Sequence, residues 1–231
     1  LWSRDDAAGQ YFRHMFYRHE PDLNLASPAV IKEVENIIIF WLKLGVSGFR
    51  LDAASHLTKQ AGRGEEKRGL WLLEHLRRLV ERHNPQAILL GEVDVEVAQY
   101  RDYFGDNNRL NMVLNFWLNK YFYVSLASQS ARPLIDAIKK MVVPPDACCF
   151  ANWLRNHDEL DLEGIGNKNK QTVLNAFAPD KEMNVYQRGI RRRADFIDDG
   201  QSEMFRQPAN HQLVIFFLVV APRLTINPQR D

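Results

Sequence analysis

Three carboxyl groups in this chain, Asp52, Glu92 and Asp158, each follow a short apolar run that predicts a buried strand. Asp52 stands two residues after Arg50, and residues two apart along a strand point to the same face. The guanidinium can therefore hold the Asp52 carboxylate ionised and oriented, as a carboxylate nucleophile requires. Taken alone, an arginine and an aspartate at this spacing form a structural ion pair more often than a catalytic one.

Glu92 stands at the equivalent place after the next predicted strand, behind the run Ile88-Leu89-Leu90-Gly91. Apolar walls raise the pKa of a carboxyl group because they disfavour its charged form, and a carboxyl that stays protonated can donate a proton. A glutamate in a solvated loop has no such role. Considered alone, Glu92 is better interpreted as such a solvated glutamate.

A third polar cluster follows the predicted strand that ends at Leu154. Asn156, His157, Asp158 and Glu159 place four polar side chains at consecutive positions. Surface loops often contain such runs, so this cluster gains meaning only from its place relative to the other two.

Acidic residues at three strand ends indicate an active site more strongly than any one of them does. Four strands are predicted in this part of the chain, and only the one that ends at Asn115 lacks an acidic residue at its end. The carboxyl ends of the strands form the active face of parallel α/β barrels. Paired carboxyl groups at such a face meet the requirement for breaking a glycosidic bond.

The predicted elements alternate between strand and helix. The first helix begins at Ser27 and Pro28, which suit the N-cap and the first helical position, and Gly45 suits its C-terminal end. Its predicted apolar face consists of Val30, Val34, Ile37, Ile38 and Trp41. The other predictions are strands over 46–51, 87–90, 112–115 and 149–154, and helices over 69–83, 133–141 and 211–220. Such alternation, without alternating polarity in the strands, is typical of parallel βα units, so the fold class is α/β.

One segment departs from this pattern. Between Asp158 and Gly200 the sequence shows little periodicity over about forty residues, and structureless segments of that length are uncommon unless they are functional. Because the segment directly follows a suspected site, we expect it to be an active-site excursion.

Four motifs resemble those of the α-amylase family, glycoside hydrolase family 13, and they occur in the order found in that family. They are Pro21-Asp22-Leu23-Asn24, Gly48-Phe49-Arg50-Leu51-Asp52-Ala53, Gly91-Glu92 and Asn156-His157-Asp158. The resemblance implies three catalytic carboxyl groups, with Asp52 as nucleophile, Glu92 as general acid and base, and Asp158 as a clamp on the sugar. It also implies a set of substrate-binding residues: Arg50, Asn156, His157 and Glu159.

The same resemblance implies a partial (β/α)8 TIM barrel, approximately strands 4 to 7 with their helices. Residues 1–231 would then form a partial catalytic barrel domain that lacks the first three strands and a normal eighth strand. The last residues, 222–231, do not resemble that eighth strand and are interpreted as an atypical tail. We therefore expect the chain to be a fragment.

Within the family, the finer resemblance is to the trehalose synthases, which interconvert maltose and trehalose by intramolecular transglucosylation. Four stretches carry it: Asp102–Asp106, Leu154–Leu160, Ala176–Asp180 and Gly189–Arg193. The departures from the family pattern are Ala54-Ser55-His56, which follow the nucleophile motif, and Glu20, where a glutamine is common.

Three alternatives stay open beside that interpretation. The chain could belong to a hydrolase of α-glucans, such as an α-glucosidase or an α-amylase, or it could be a truncated remnant without catalytic activity. A carbohydrate-binding module could use Phe116, Trp117 or Trp153 as aromatic platforms. A binding module, however, has no use for three carboxyl groups at strand ends.

Composition narrows the class of partner. The chain has 30 Lys and Arg against 29 Asp and Glu, a formal net charge of +1, so no electrostatic reason favours nucleic acid or an anionic membrane. The longest apolar run, 213–221, is too short to cross a bilayer, which takes about 20 residues. The expected partner is a small α-glucoside, maltose or a short α-glucan, and the sequence leaves the oligomeric state open.

The only cysteines, Cys148 and Cys149, are adjacent, and adjacent cysteines rarely form a disulfide because the bridge strains the peptide between them. The lack of a disulfide framework favours a cytoplasmic location. The expected chemistry requires no cofactor and no metal, although the resemblance allows a structural calcium ion in the full-length protein.

Overall fold

A computed structural model of the chain describes residues 1–62, 68–186 and 188–190. These residues form two compact units. The first comprises Leu1–Val95, Tyr100–Val113 and Pro144–Cys148, and the second comprises Glu96–Gln99, Leu114–Val143 and the described residues from Cys149 onward. Asp52 and Glu92 thus belong to the first unit, and Asp158 belongs to the second.

The first unit opens with an antiparallel hairpin of strands β1 (Trp2–Asp5) and β2 (Gln10–Arg13). Helix α1 (Pro28–Lys43) follows and confirms the first predicted helix. Pro28 fills its first turn, and Gly45 follows its C-terminus with a φ of +93°, a left-handed value that favours glycine.

The buried face of α1 differs in part from the predicted one. Ile31, Ile38 and Leu42 are its buried residues, whereas Ile37 and Trp41 are 51% and 47% exposed. The C-terminal half of this helix is apolar around almost its whole circumference. Spacing alone therefore could not decide which stripe packs against the rest of the unit.

Two parallel strands organise the first unit, β3 (Gly48–Leu51) and β4 (Ile88–Gly91). Helices α2 (Ala54–Ala61) and α3 (Trp71–His83) connect them. Helix α3 confirms the predicted helix over 69–83, and the apolar residues of this stretch are buried: Leu70, Leu72, Leu73, Leu76, Leu79 and Val80. Helix α2 was not predicted, because eight residues are too few to show a helical period.

The four predicted strands lie in one sheet in the order β3-β4-β5-β6, with β5 at Met112–Leu114 and β6 at Cys149–Ala151. β5 pairs with β4 in parallel and follows the short helix α4 (Tyr100–Phe104). The α/β class is thus confirmed, whereas the assignment of these strands to particular strands of a barrel stays a prediction.

In the second unit, helices α5 (Phe116–Ala127) and α6 (Arg132–Lys140) follow β5. Helix α6 confirms the predicted helix over 133–141. Helix α5 was not predicted, because apolar side chains are distributed around its whole circumference and no amphipathic stripe identifies it.

The segment after Asp158 contains regular secondary structure over its described part, although its sequence shows little periodicity. The expectation that it is an active-site excursion stays a prediction. The segment contains β7 (Leu160–Asp161), α7 (Asn167–Phe177), β8 (Asn184–Val185) and β9 (Gly189–Ile190). The strands form an antiparallel sheet in the order β7-β9-β8. Eight buried residues form its core: Tyr123, Val124, Leu160, Leu162, Ile165, Val173, Ala178 and Ile190. Strands of two residues show no readable period, which is why the sequence did not reveal them.

The rest of that segment as far as Gly200, the predicted helix over 211–220 and the tail 222–231 lie outside the described residues. Within the part of the chain that the structure describes, none of the helices has the length and apolar character needed to cross a membrane.

Candidate active site

The end of β3 and the end of β4 bring Asp52 and Glu92 to the same edge of the sheet. Leu51 lies opposite Gly91 in the parallel register, so the next residue on each strand is one of the two carboxyl groups. The Glu92 N–H donates to the Leu51 carbonyl at 3.0 Å, and the Ala54 N–H donates to the Glu92 carbonyl at 2.8 Å. The backbone itself therefore fixes the two positions side by side.

The close pairing of these strands depends on Gly48 at the start of β3. A Cβ atom at this position would lie 2.3 Å from the Ile88 carbonyl oxygen, which is backbone and cannot move aside. Only glycine allows this register, and the register determines where Asp52 and Glu92 emerge.

One guanidinium group contacts both carboxyl groups. Arg50 Nη1 lies 2.8 Å from Asp52 Oδ1, and Arg50 Nη2 lies 2.7 Å from Glu92 Oε2. The expected contact between Arg50 and Asp52 is present, and the second contact was not foreseen. A planar guanidinium can bind two separate carboxyl groups because its donors point in fixed, different directions.

The two carboxyl groups have different surroundings. Burial raises the pKa of Glu92, and the neighbouring Asp52 carboxyl raises it further, while the Ala53 N–H and the Arg50 guanidinium oppose the increase. The Asp52 side chain is 72% exposed, whereas that of Glu92 is only 18% exposed. This contrast matches the need for one ionised and one protonated carboxyl group in a glycosidase pair.

Ala53 connects Asp52 to helix α2 with unusual backbone geometry. Its φ is +43°, a left-handed value that is uncommon for a residue with a side chain. In this conformation its N–H donates to Glu92 Oε2 at 3.1 Å. Such backbone strain persists only where the surrounding structure enforces it, and here it supplies a hydrogen bond to the buried carboxyl group.

The loop between β2 and α1 is held in place by Asp22 of the Pro21–Asn24 motif. Asp22 Oδ1 accepts the Met15 N–H at 3.0 Å, and Asp22 Oδ2 lies 3.5 Å from Arg13 Nε. The loop carries Phe16, whose ring meets the edge of the His56 ring at a centroid distance of 5.5 Å. Burial lowers the pKa of His56, so this departure from the family pattern tends to remain neutral.

In the second unit, Asn156, His157 and Asp158 lie in the loop that follows β6. Asn156 Oδ1 accepts the Asp158 N–H at 3.0 Å, and His157 Nε2 lies 3.2 Å from Asp158 Oδ2. The side chains of His157 and Asp158 are 59% and 41% exposed. The three residues thus form a local turn whose polar groups remain accessible to a ligand.

Glu159 has a different environment from its neighbours in the same run. Its Oε1 lies 2.5 Å from Nη2 of Arg188, whose Nε lies 3.7 Å from Asp161, and its side chain is only 17% exposed. The nearby Glu159 raises the pKa of Arg188. Glu159 therefore connects the loop to Arg188 just before β9, and its predicted role in substrate binding stays a prediction.

Sequence reasoning missed a buried polar row on α5. Asn115, Asn119 and Tyr123 are at most 5% exposed and recur every four residues. That spacing, inside an otherwise apolar run, is the signal that could have revealed them.

The expected calcium ion finds no support in the described residues. They contain no group of three or more His, Cys, Asp or Glu side chains that could hold a metal ion. The calcium expectation concerned the full-length protein and stays a prediction.

Comparison with known proteins gives consistent results at three levels. The α-amylase family ("Alpha amylase, catalytic domain") matches residues 1–185. The chain is 37% identical over 195 residues to the trehalose synthase of Thermus thermophilus, and 32% identical over 210 residues to the trehalose synthase/amylase of Mycobacterium tuberculosis. These matches cover 83% and 88% of this chain but only 20% and 35% of the two relatives. A solved α-amylase from H. orenii superposes with a TM-score of 0.55 at 25% identity, covering 74% of this chain and 36% of that one.

Proposed function

The chain belongs to the α-amylase family, and we propose that it carries the nucleophile and the general acid of a retaining α-glucoside-processing enzyme. Asp52 would attack the anomeric carbon of a bound glucosyl unit, and Glu92 would protonate the oxygen that leaves. The observation that supports this most strongly is the Arg50 guanidinium lying between the two carboxyl groups at 2.8 and 2.7 Å.

The position of Arg50 suits both steps of a double displacement. The first step requires an ionised Asp52 and a protonated Glu92, and the guanidinium would then neutralise the single negative charge on Asp52. When the glucosyl ester forms on Asp52 and Glu92 loses its proton, the charge moves to Glu92. The same guanidinium then neutralises Glu92. The net charge of the three groups stays at zero, which avoids the cost of an uncompensated charge beside a half-buried carboxyl.

The raised pKa of Glu92 has a corresponding role. A carboxyl group whose pKa is raised keeps its proton to a higher pH than an ordinary glutamate, and can donate it to the leaving oxygen. Once Asp52 is esterified, its negative charge no longer raises the pKa of Glu92. Glu92 can then remain ionised and accept a proton from the hydroxyl group that attacks the glucosyl ester.

We assign substrate binding to the loop of the second unit. His157 and Asp158 would hydrogen-bond sugar hydroxyl groups, with Asn156 holding the turn through its bond to the Asp158 N–H. Their exposed side chains and short mutual contact support this role. The four sheet strands would then correspond to strands 4 to 7 of a (β/α)8 barrel.

The specific reaction we propose is the interconversion of maltose and trehalose. The support is the 37% and 32% identity to a trehalose synthase and a trehalose synthase/amylase over most of this chain. In that reaction the released glucose stays bound and attacks the glucosyl ester through a different hydroxyl group. The second candidate is hydrolysis of α-glucans, with water as the acceptor. It is favoured because the relative from Mycobacterium tuberculosis is named a trehalose synthase/amylase.

The test is an assay of the complete gene product on maltose, with trehalose and glucose separated and quantified. Trehalose as the main product supports the interconversion. Glucose as the only product overturns it in favour of the hydrolase. Absence of any product from maltose and also from a longer α-glucan, with a preparation of Asp52→Asn as the blank for contaminating enzymes, would favour a non-catalytic remnant.

A further inference from the structure

The mechanism proposed above gives no role to the buried polar row on α5. The hydrogen-bond partners of this row indicate its role. It consists of Asn115 at the N-cap, Asn119 one turn later and Tyr123 a further turn along. Residues four apart lie on one face of a helix, and buried polar groups nearly always have hydrogen-bond partners.

Asn119 and Tyr123 both donate to the backbone that follows β6. Asn119 Nδ2 lies 2.8 Å from the Trp153 carbonyl and 2.8 Å from the Leu154 carbonyl. The Tyr123 hydroxyl donates to the same Leu154 carbonyl at 3.2 Å. Two successive carbonyl groups are thus held by three hydrogen bonds from one helix face.

Asn115 holds the two residues before these. Its backbone N–H donates to the Ala151 carbonyl at 2.9 Å, and its side-chain amide donates to Asn152 Oδ1 at 2.8 Å. The row therefore contacts four consecutive residues, 151–154. This span includes the last residue of β6 and the three that lead into the loop.

The chemistry of these donors suits the task. An amide nitrogen carries two hydrogens, so a single Asn119 side chain can satisfy two carbonyl groups at once. Burial raises the pKa of Tyr123 to about 12, so its hydroxyl keeps its proton and remains a donor over the whole working range of pH. β6 ends at Ala151, so the Trp153 and Leu154 carbonyls lie beyond its strand pairing. The side chains of Asn119 and Tyr123 supply their hydrogen bonds to α5 instead.

We propose that Asn119, assisted by Tyr123, is a positioning residue that fixes His157 and Asp158 for substrate binding. Leu154 lies three residues before His157, and the Asn156–Asp158 hydrogen bond makes the loop a compact turn. A displacement at the Leu154 carbonyl would therefore move the whole turn. This inference rests on the proposed function, because it takes His157 and Asp158 to bind substrate. The hydrogen bonds from Asn119 and Tyr123 are observed independently of that function.

The decisive variant is Asn119→Asp, which keeps the shape of the side chain but removes its two donor hydrogens. The protonated form of the new carboxyl group holds one donor hydrogen for two carbonyl oxygens, and its ionised form holds none and repels both. We expect the KM for maltose to rise about tenfold at pH 7, as expected for the loss of one or two hydrogen bonds, with a smaller change in kcat. The excess in KM over wild type should shrink as pH falls, because a protonated carboxyl regains one donor.

A control separates positioning from general stability. Val173→Ala creates a cavity in the core of the same unit, where Val173 is fully buried in the same cluster as Tyr123. Its side chain has no hydrogen-bonding group, so the variant leaves the donors to residues 151–154 in place. We expect it to lower the Tm and leave KM within about twofold of wild type. Tyr123→Phe should give a smaller KM increase than Asn119→Asp, because only one of the three hydrogen bonds is lost.

Hydrogen exchange of the amides at residues 155–158 tests the contacts independently of activity. Faster exchange in Asn119→Asp than in Val173→Ala at equal loss of Tm supports the proposal. Equal exchange, or an equal KM increase in both variants with no pH dependence, overturns it. If the wild-type protein does not process maltose, the proposed function fails, and the exchange measurement still decides whether Asn119 fixes the loop.

Discussion

The two units of the molecule hold their site residues mainly in different ways, although the second unit also contains an ion pair between Glu159 and Arg188. In the first, charged side chains contact one another: Arg50 binds Asp52 and Glu92 directly, and backbone pairing between β3 and β4 fixes their positions. In the second, His157 and Asp158 lie beyond the end of β6. Neutral side chains of α5 hold the backbone ahead of them through carbonyl groups.

This difference corresponds to different chemical demands. A nucleophile and a proton donor need defined protonation states, and those depend on charges and burial within a few ångströms. Groups that bind sugar hydroxyls need accurate placement more than a shifted pKa, and neutral hydrogen bonds to the backbone provide it. Substitutions in the first unit should therefore impair the chemical step, and those in the second should impair binding.

The largest effect is expected for Asp52→Asn. The amide cannot form the glucosyl ester, so kcat on maltose should fall by about 10⁴-fold or more. Asp106→Asn is the matched control, because its side chain is 96% exposed and only pairs with Arg101 at 3.5 Å. Residual activity above about 1% of wild type would show that Asp52 is not the nucleophile.

A smaller loss, about 10³-fold on maltose, is expected for Glu92→Gln. The loss should shrink with an α-glucosyl fluoride substrate, whose leaving group needs no proton. The pH dependence of kcat/KM has a defined direction. Ionised Glu92 has no proton to donate, so kcat/KM of the wild type falls as pH rises through the pKa of Glu92. Because that pKa is raised, the fall lies above the ordinary glutamate value of 4.5, and the variant should lack it.

Glu33→Gln is a suitable control for that profile, since Glu33 lies exposed on α1 and accepts a hydrogen bond from Asn36. Equal losses of activity with maltose and with the fluoride would contradict the role of Glu92 as proton donor.

For Asp158→Asn we expect a decrease in kcat/KM of about 10² or less, mostly through KM, because hydrogen bonds to substrate hydroxyls are weakened rather than abolished. Steady-state kinetics on maltose would measure it, with Asp136→Asn on α6 as the control in the same unit. A variant with unchanged KM and a kcat reduced as far as in Asp52→Asn would break the contrast between the two units.

The smallest effect on turnover is expected for Glu159→Gln. Its partner is Arg188, so the variant should lose about 1 kcal/mol of stability or less, and keep kcat/KM within about threefold of wild type. Thermal unfolding and maltose kinetics on one preparation would check both. A large KM increase without a change in Tm would return Glu159 to the substrate-binding set that the sequence predicted.

Much of the sheet and the first half of the site could be predicted from the sequence. The short runs before Asp52 and Glu92 predict two neighbouring strands, and β3 and β4 are present and pair in parallel. Their predicted burial is only partly correct, because β3 contains no buried residue and β4 contains two, Leu89 and Gly91. The spacing of Arg50 and Asp52 places both on one face, and their contact is present. The strands and the contact between Arg50 and Asp52 depend on residues that are close along the chain, so a local sequence pattern can predict them.

Other features were decided only by the tertiary structure. The second contact of Arg50, to Glu92, joins residues 42 positions apart, and no local pattern records it. The pairing of Glu159 with Arg188 joins residues 29 positions apart, and no local pattern records it. The predicted role of Glu159 in substrate binding stays a prediction. The exposed stripe of α1, the unpredicted helix α5 and the short strands after Asp158 depend on which neighbours pack against them.

The sequence by itself thus determined which residue types stand at the strand ends, and hence the kind of chemistry that they can perform. The tertiary structure decided the protonation preference of Glu92, because desolvation and nearby charges act through space. It also decided that Asn119 holds the loop before His157, because a hydrogen bond depends on the distance between two groups and not on their separation along the chain.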